Sequence, residues 1–111
     1  MNNCVFCKIR NREIPSDMKY IDNDFMIIKD INPKAKIHLV AVPKKHLPLI
    51  SMMDSDDAEV LGRIMGKISQ LQNELGLEDG YRLIINQGAD AGQTVDHVHI
   101  HILGGEKLSE F

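Results

Sequence analysis

The sequence predicts an α+β fold, a mainly antiparallel sheet of about five strands with one long helix and a short N-terminal helix. Three observations predict it. Apolar runs of strand length recur along the chain, and most are joined by connections too short for a parallel crossover. One long segment, Asp54–Leu75, repeats its apolar residues at helical spacing. The last apolar run, His97-Val98-His99-Ile100-His101-Ile102-Leu103, alternates in the manner of a half-buried strand. At 111 residues the chain is expected to be a single domain spanning residues 1–111.

Phe6 to Arg12 has the length of a short helix, stopped before Pro15. Met18–Ile21 and Phe25–Lys29 form a predicted hairpin about the turn residues Asn23 and Asp24. Asp30-Ile31-Asn32-Pro33 is a turn signal, and Ile37–Val42 is a third strand ended by Pro43. The long helix opens with Asp54, Asp56 and Asp57, which suit the positive end of its dipole. Leu61, Ile64, Met65, Ile68, Leu71 and Leu75 supply its apolar stripe, and Gly76 sits where a left-handed C-cap belongs. Gly62 and Gly66 lie inside the helix, each costing about 1 kcal/mol relative to Ala. Four residues apart, they either admit another backbone at close range or are merely tolerated. Tyr81–Ile85 and His97–Leu103 complete the sheet, which the long helix covers on one face.

Composition narrows the function. The formal net charge is −3 and no long basic block occurs, which argues against nucleic acid as a partner. No run of about 18 apolar residues is present, so no membrane span is expected. Met1-Asn2-Asn3-Cys4 shows no basic stretch followed by an apolar core, and two cysteines make no disulfide framework. A cytoplasmic location is the expectation. Hydrophobic residues make up 43% of the chain, and a domain this small leaves much apolar surface uncovered, which favours a second subunit.

On a strand alternate side chains share a face, so Val98, Ile100 and Ile102 point to the core while His97, His99 and His101 line the other side. Neighbouring imidazoles on that side are expected about 7 Å apart along the strand. Three of the chain's five histidines fall there. Ordinary polar residues on a strand are one explanation, and neutral imidazoles sharing a zinc ion are a second. The third is covalent catalysis at phosphorus, in which a neutral imidazole nitrogen attacks and water displaces the labile phospho-imidazolium. That chemistry needs a neighbour that fixes the nucleophile's tautomer and donors for the phosphoryl oxygens. The preceding loop, Asn86-Gln87-Gly88-Ala89-Asp90-Ala91-Gly92-Gln93-Thr94, offers polar side chains and, near Gly92, backbone N–H groups.

His97-Val98-His99-Ile100-His101-Ile102-Leu103, led by Gly92-Gln93-Thr94-Val95, resembles the histidine triad motif of the HIT superfamily. The resemblance runs almost end to end and is closest to the Hint branch of nucleotide-binding proteins. Phe6-Cys7-Lys8-Ile9, Arg12-Glu13-Ile14-Pro15, Val42-Pro43-Lys44-Lys45-His46, Gly80-Tyr81-Arg82 and Leu103-Gly104-Gly105 carry it, in order. The resemblance implies a HIT-like fold, a homodimer with one sheet continuous across the interface, and hydrolysis of purine nucleoside 5′-phosphoramidates. His99 matches the nucleophile that would form a nucleotidyl-histidine; His101 would contact the phosphate and His97 set the geometry. His38 matches a fourth histidine supporting the nucleophile, although its apolar neighbours also suit a buried structural histidine. Thr94 matches a hydroxyl near the leaving group, and Asn86, Gly92 and Gln93 match contacts to the phosphate. Asp30 matches an acid that accepts both ribose hydroxyls, a task for which a carboxylate has two acceptor oxygens; shaping its own turn is the alternative. Phe6, Ile9, Ile14, Ile28 and Ile31 are candidates for an apolar slot around the base of an AMP-like ligand, or for simple core.

Two rivals share this chemistry. Dinucleoside polyphosphate hydrolases of the superfamily resemble a different tail after the triad, and the uridylyltransferase branch replaces the third histidine by Gln, against His101 here. A nucleotide-binding regulatory module with little catalysis is the rival from another class. Cys4 and Cys7 form C-x-x-C with no strand before them, which suits zinc better than thioredoxin-like redox chemistry. By resemblance to bacterial HIT proteins with this pair, the other ligands are His46 and His97. Four protein ligands close a tetrahedral site, so the zinc would be structural and catalysis would need no cofactor. Two idle thiols are the alternative.

Overall fold

The computed structural model describes residues 3–111; Met1 and Asn2, the first residues of the expected leaderless terminus, lie outside the described residues. The elements are α1 (Val5–Arg10), β1 (Met18–Ile21), β2 (Phe25–Lys29), β3 (Ile37–Pro43), α2 (Ser55–Gln70), β4 (Tyr81–Ile84) and β5 (Ile100–Gly104). They form the expected α+β architecture, with one five-stranded sheet in the order β1-β2-β3-β5-β4 and every neighbouring pair antiparallel.

The β1–β2 hairpin is held by Asp22, whose Oδ1 accepts the N–H groups of Asp24 and Phe25. Alternation then sorts the side chains of β2, β3 and β5. Phe25, Ile27, Leu39, Ala41, Ile100 and Ile102 face α2, where Ile64, Ile68 and Leu77 complete a dry core. Met26, Ile28, Val40 and Val42 face the other way and are covered by Phe6 of α1, with Ile9 and Val95 at their margin. The histidines share this second layer, so α1 roofs the candidate site.

The structure corrects several boundaries. The first helix ends at Arg10, short of Arg12, because Asn11 leaves helical geometry and Arg12 takes a positive φ of 62°. The long helix begins as expected, with Asp54 and Asp57 exchanging side-chain and backbone hydrogen bonds in a capping box. It ends at Gln70, five residues before Leu75. The chain there breaks into turns that carry Leu77 into the core, where it is fully buried and its N–H bonds to the Gln72 carbonyl. Burying a leucine is worth about 2 kcal/mol, more than another helical turn gains at the surface. Met65 is 45% exposed, and nothing approaches within 4 Å of a Cβ placed on Gly62 or Gly66. No backbone among the described residues therefore uses that glycine pair. The fourth strand stops at Ile84, and the last starts at Ile100 instead of His97. The reason lies in the backbone hydrogen bonds: the His97 N–H bonds to the Val95 carbonyl and the Val98 N–H to the Leu47 carbonyl, which diverts the segment from the β3 ladder.

Candidate active site and metal centre

Although His97 and His99 precede the strand, the alternation survives. Val98, Ile100 and Ile102 are fully buried, the two isoleucines against α2, while His99 and His101 stand together on the α1 side. Their ring centroids lie 5.0 Å apart in an edge-on arrangement, closer than the about 7 Å pitch expected of a flat strand, because the rings lean together. Phe6 packs on both His97 and His99, with centroid distances of 5.6 and 5.0 Å.

In His99, His97 and His38 the proton is placed by a backbone partner with only one possible role. His99 Nδ1 lies 2.7 Å from the His97 carbonyl oxygen, so it donates, and Nε2 keeps its lone pair. None of the described hydrogen bonds uses His99 Nε2. Among the described residues no buried side-chain nitrogen or oxygen lacks a partner, so this atom reaches solvent although the residue is only 5% exposed. His97 Nε2 donates to the Pro43 carbonyl at 2.7 Å, leaving Nδ1 unprotonated. His38 Nδ1 accepts the Lys34 N–H at 3.0 Å, so its proton is on Nε2, 2.9 Å from His101 Nδ1 and 3.3 Å from Asp30 Oδ2. Burial lowers the pKa of His38, His101 and His97, the last to about 4, so all three stay neutral at pH 7.

The unprotonated Nδ1 of His97 faces Cys4 Sγ at 3.3 Å and Cys7 Sγ at 3.7 Å, and His46 Nδ1 lies 3.2 Å from Cys7 Sγ. The four ligand atoms lie within 4.8 Å of one another. Two thiols and two imidazoles, one with its lone pair already aimed inward, fit a tetrahedral zinc ion. In the metal-free arrangement burial, with Cys4 as neighbour, raises the Cys7 thiol pKa; a bound cation would reverse that by favouring the thiolate.

The other expected residues are placed unevenly. Ile28 and Phe6 are buried and Ile9 half-buried in the layer beneath the histidines, Ile14 is half-buried, and Ile31 is 89% exposed. Asp30 shapes its turn, Oδ1 accepting the Asn32 N–H at 2.8 Å, while Oδ2 turns to His38 at 3.3 Å. Gln93 is occupied by the loop itself, its Oε1 accepting the Gly88 N–H and its Nε2 donating to the Pro48 and Val95 carbonyls. The Gly92 N–H is likewise donated to Ala89. Thr94 is exposed, beside His46 and Cys4 in a cavity of about 390 Å³. β4 pairs Ile84 with His101, and two further residues of that register would bring Asn86 opposite His99. A cavity of about 780 Å³ around Tyr81, Arg82 and Gly105 lies at the opposite end of β5 from His99. Sequence reasoning missed the backbone groups that set the protons, the Lys34 N–H and the His97 and Pro43 carbonyls, because backbone carries no residue-type signal.

Comparison with known proteins gives the family and the fold. A family model described as "Scavenger mRNA decapping enzyme C-term binding" matches residues 3–111. An uncharacterized HIT-like protein of Synechocystis is 44% identical over 105 residues, covering 95% of this chain and 92% of its own. The structure of a HIT family hydrolase from Clostridium thermocellum superposes with a TM-score of 0.93 at 43% identity, covering 100% of this chain and 97% of the other. A zinc-bound histidine triad family protein from Mycobacterium smegmatis superposes with a TM-score of 0.83 at 33% identity, covering 96% and 80% of the two chains.

Proposed function

From the premise that the chain belongs to the histidine triad (HIT) superfamily, we propose that it is a hydrolase of purine nucleoside 5′-phosphoramidates, of the Hint type. The observation that carries the reading is the bare, solvent-reaching Nε2 of His99, whose tautomer is held by the His97 carbonyl. A neutral imidazole with a lone pair needs no base to remove a proton before attacking phosphorus.

His99 Nε2 attacks the α-phosphorus and the P–N bond breaks. The departing nitrogen takes a proton from solvent and leaves as the free amine, and the nucleotide stays on His99 as a phospho-imidazolium. Water then attacks the same phosphorus and releases a proton to solvent, the P–N bond to His99 breaks with its electron pair returning to Nε2, and AMP departs. His101, whose Nδ1 accepts from His38, carries its own proton on Nε2 and donates it as a hydrogen bond to a phosphoryl oxygen. Asn86 and the loop braced by Gln93 and Gly92 border the phosphate, and Thr94 stands beside the leaving amine. Asp30 Oδ2 takes the ribose hydroxyls, and Phe6, Ile9, Ile14, Ile28 and Ile31 bound the base.

Cys4, Cys7, His46 and His97 would hold a structural zinc ion, which fastens α1 to the sheet and takes no part in the reaction. A homodimer is supported by the unpaired edge of β4 and by the uncovered α2 face around Gly62, Met65 and Gly66. No helix among the described residues is long and apolar enough to cross a membrane, and the two free cysteines suit a reducing cytoplasm.

The test compares wild type and His99→Ala on adenosine 5′-phosphoramidate, with AMP affinity measured by calorimetry. Loss of turnover by roughly a thousandfold or more with AMP binding retained supports the reading. Undiminished turnover in His99→Ala ends it.

A further inference from the structure

Building on the reading of the site as a nucleotide site, we infer that Asp30, His38 and His101 form a hydrogen-bond relay through which the sugar hydroxyls set the proton of the phosphate-facing imidazole. His38 has one ring proton to give and two acceptors for it. The Lys34 N–H occupies Nδ1, so the proton is on Nε2, shared between His101 Nδ1 at 2.9 Å and Asp30 Oδ2 at 3.3 Å. Asp30 Oδ2 is also 3.9 Å from His101 Nδ1, so the carboxylate sits against both rings.

The competition is resolved from the solvent side. His38 is buried, with a side chain only 4% exposed, whereas that of Asp30 is 20% exposed. Asp30 Oδ1 is tied to the Asn32 N–H, which leaves Oδ2 as the oxygen with spare accepting capacity. Hydroxyl donors arriving at Oδ2 weaken its pull on the His38 proton, which then passes wholly into the bond to His101 Nδ1. His101 is thereby locked with its own proton on Nε2, the form that donates to a phosphoryl oxygen. A cation held among the same three groups is the obvious rival, since their ligand atoms lie within 4.8 Å of one another. It would require a bare His38 Nε2, and the Lys34 N–H at Nδ1 forbids that for a neutral ring.

The relay makes the sugar contribute to the chemical step as well as to binding. A hydroxyl that served binding alone would change KM and leave kcat untouched. Wild-type protein labelled with ¹⁵N-histidine is titrated with AMP and with 2′,3′-dideoxy-AMP, and kcat and KM are measured for the two corresponding phosphoramidates. AMP is expected to shift His38 Nε2 and His101 Nδ1, while dideoxy-AMP, when bound, shifts His101 Nε2 through its phosphate and leaves His38 Nε2 near its free position. The dideoxy substrate should lose about tenfold in kcat, and Asp30→Asn should bring the two substrates to equal kcat. A dideoxy substrate with raised KM, unchanged kcat and the same nitrogen shifts would overturn the relay while leaving the sugar contact at Asp30 standing. Equal affinity and equal turnover of the two nucleotides would refute the sugar contact, and the relay with it. The resonance measurement reads the relay in the folded wild type, independently of turnover and of any variant.

Discussion

The ring proton of His99 is donated to the backbone carbonyl of His97 at 2.7 Å. One residue thus works at both ends: its imidazole turns Nδ1 toward Cys4 and Cys7, and its carbonyl holds the tautomer of the proposed nucleophile. The link to His99 runs through backbone, and the His97 ring is separately held by the Pro43 carbonyl. A brace on the His97 side chain therefore adds stability without being required for the nucleophile's geometry.

Chelation of the zinc-loaded protein should accordingly lower Tm far more than turnover. Removing a metal that clips α1 to the sheet costs folding free energy directly. Thermal scans and kcat measured with and without chelator check this. Loss of turnover in step with zinc, at an unchanged Tm, would contradict it.

The metal-free protein should lose stability as pH falls from about 6.5 to 4. His97 has a folded pKa of about 4, lowered by burial, against 6.5 when exposed, so the unfolded chain takes up its proton first. His97 alone accounts for on the order of 3 kcal/mol across that window. His38 and His101, also lowered by burial, add in the same direction. Urea unfolding of metal-free protein across this range measures the slope, and a flat profile would refute it.

Gly105→Ala should destabilise the fold by roughly 2–4 kcal/mol. Gly105 has a φ of +78°, and a Cβ there would lie 2.5 Å from Ile37 Cγ1 and 3.3 Å from the Ile37 backbone nitrogen, which cannot move aside. The midpoint of urea unfolding reads this out, and an unchanged midpoint would show that the β5 end has slack.

Gly66→Glu addresses assembly. A Cβ at Gly66 meets nothing within 4 Å, so the protomer should fold at least as stably, gaining up to about 1 kcal/mol of helix propensity. If the α2 face is the proposed dimer contact, a buried charge there shifts sedimentation toward the monomer. A variant that sediments as wild type would remove this face from the interface.

The sheet and the triad were legible in the sequence because alternation imposes a period that side-chain chemistry reports directly. Val98, Ile100 and Ile102 show it. The end of α2 was not legible: Leu71 and Leu75 continue the helical pattern, and only the tertiary demand to bury Leu77 stops it at Gln70. The departure of His97 from the strand was hidden for the same reason, since the Leu47 carbonyl that captures the Val98 N–H is a backbone group distant in sequence. Gln93 could be recognised as polar and near the triad. That its amide is consumed in bracing the loop to Pro48 and Val95 depends on a fold the local sequence does not encode.

The most direct test is rapid acid-free quenching of wild-type protein during turnover of adenosine 5′-phosphoramidate, followed by peptide mass spectrometry. The account predicts a transient nucleotidyl adduct on the His99 nitrogen that decays as AMP appears. An adduct on His101, or product formed in a single turnover with no adduct at any histidine, would contradict it.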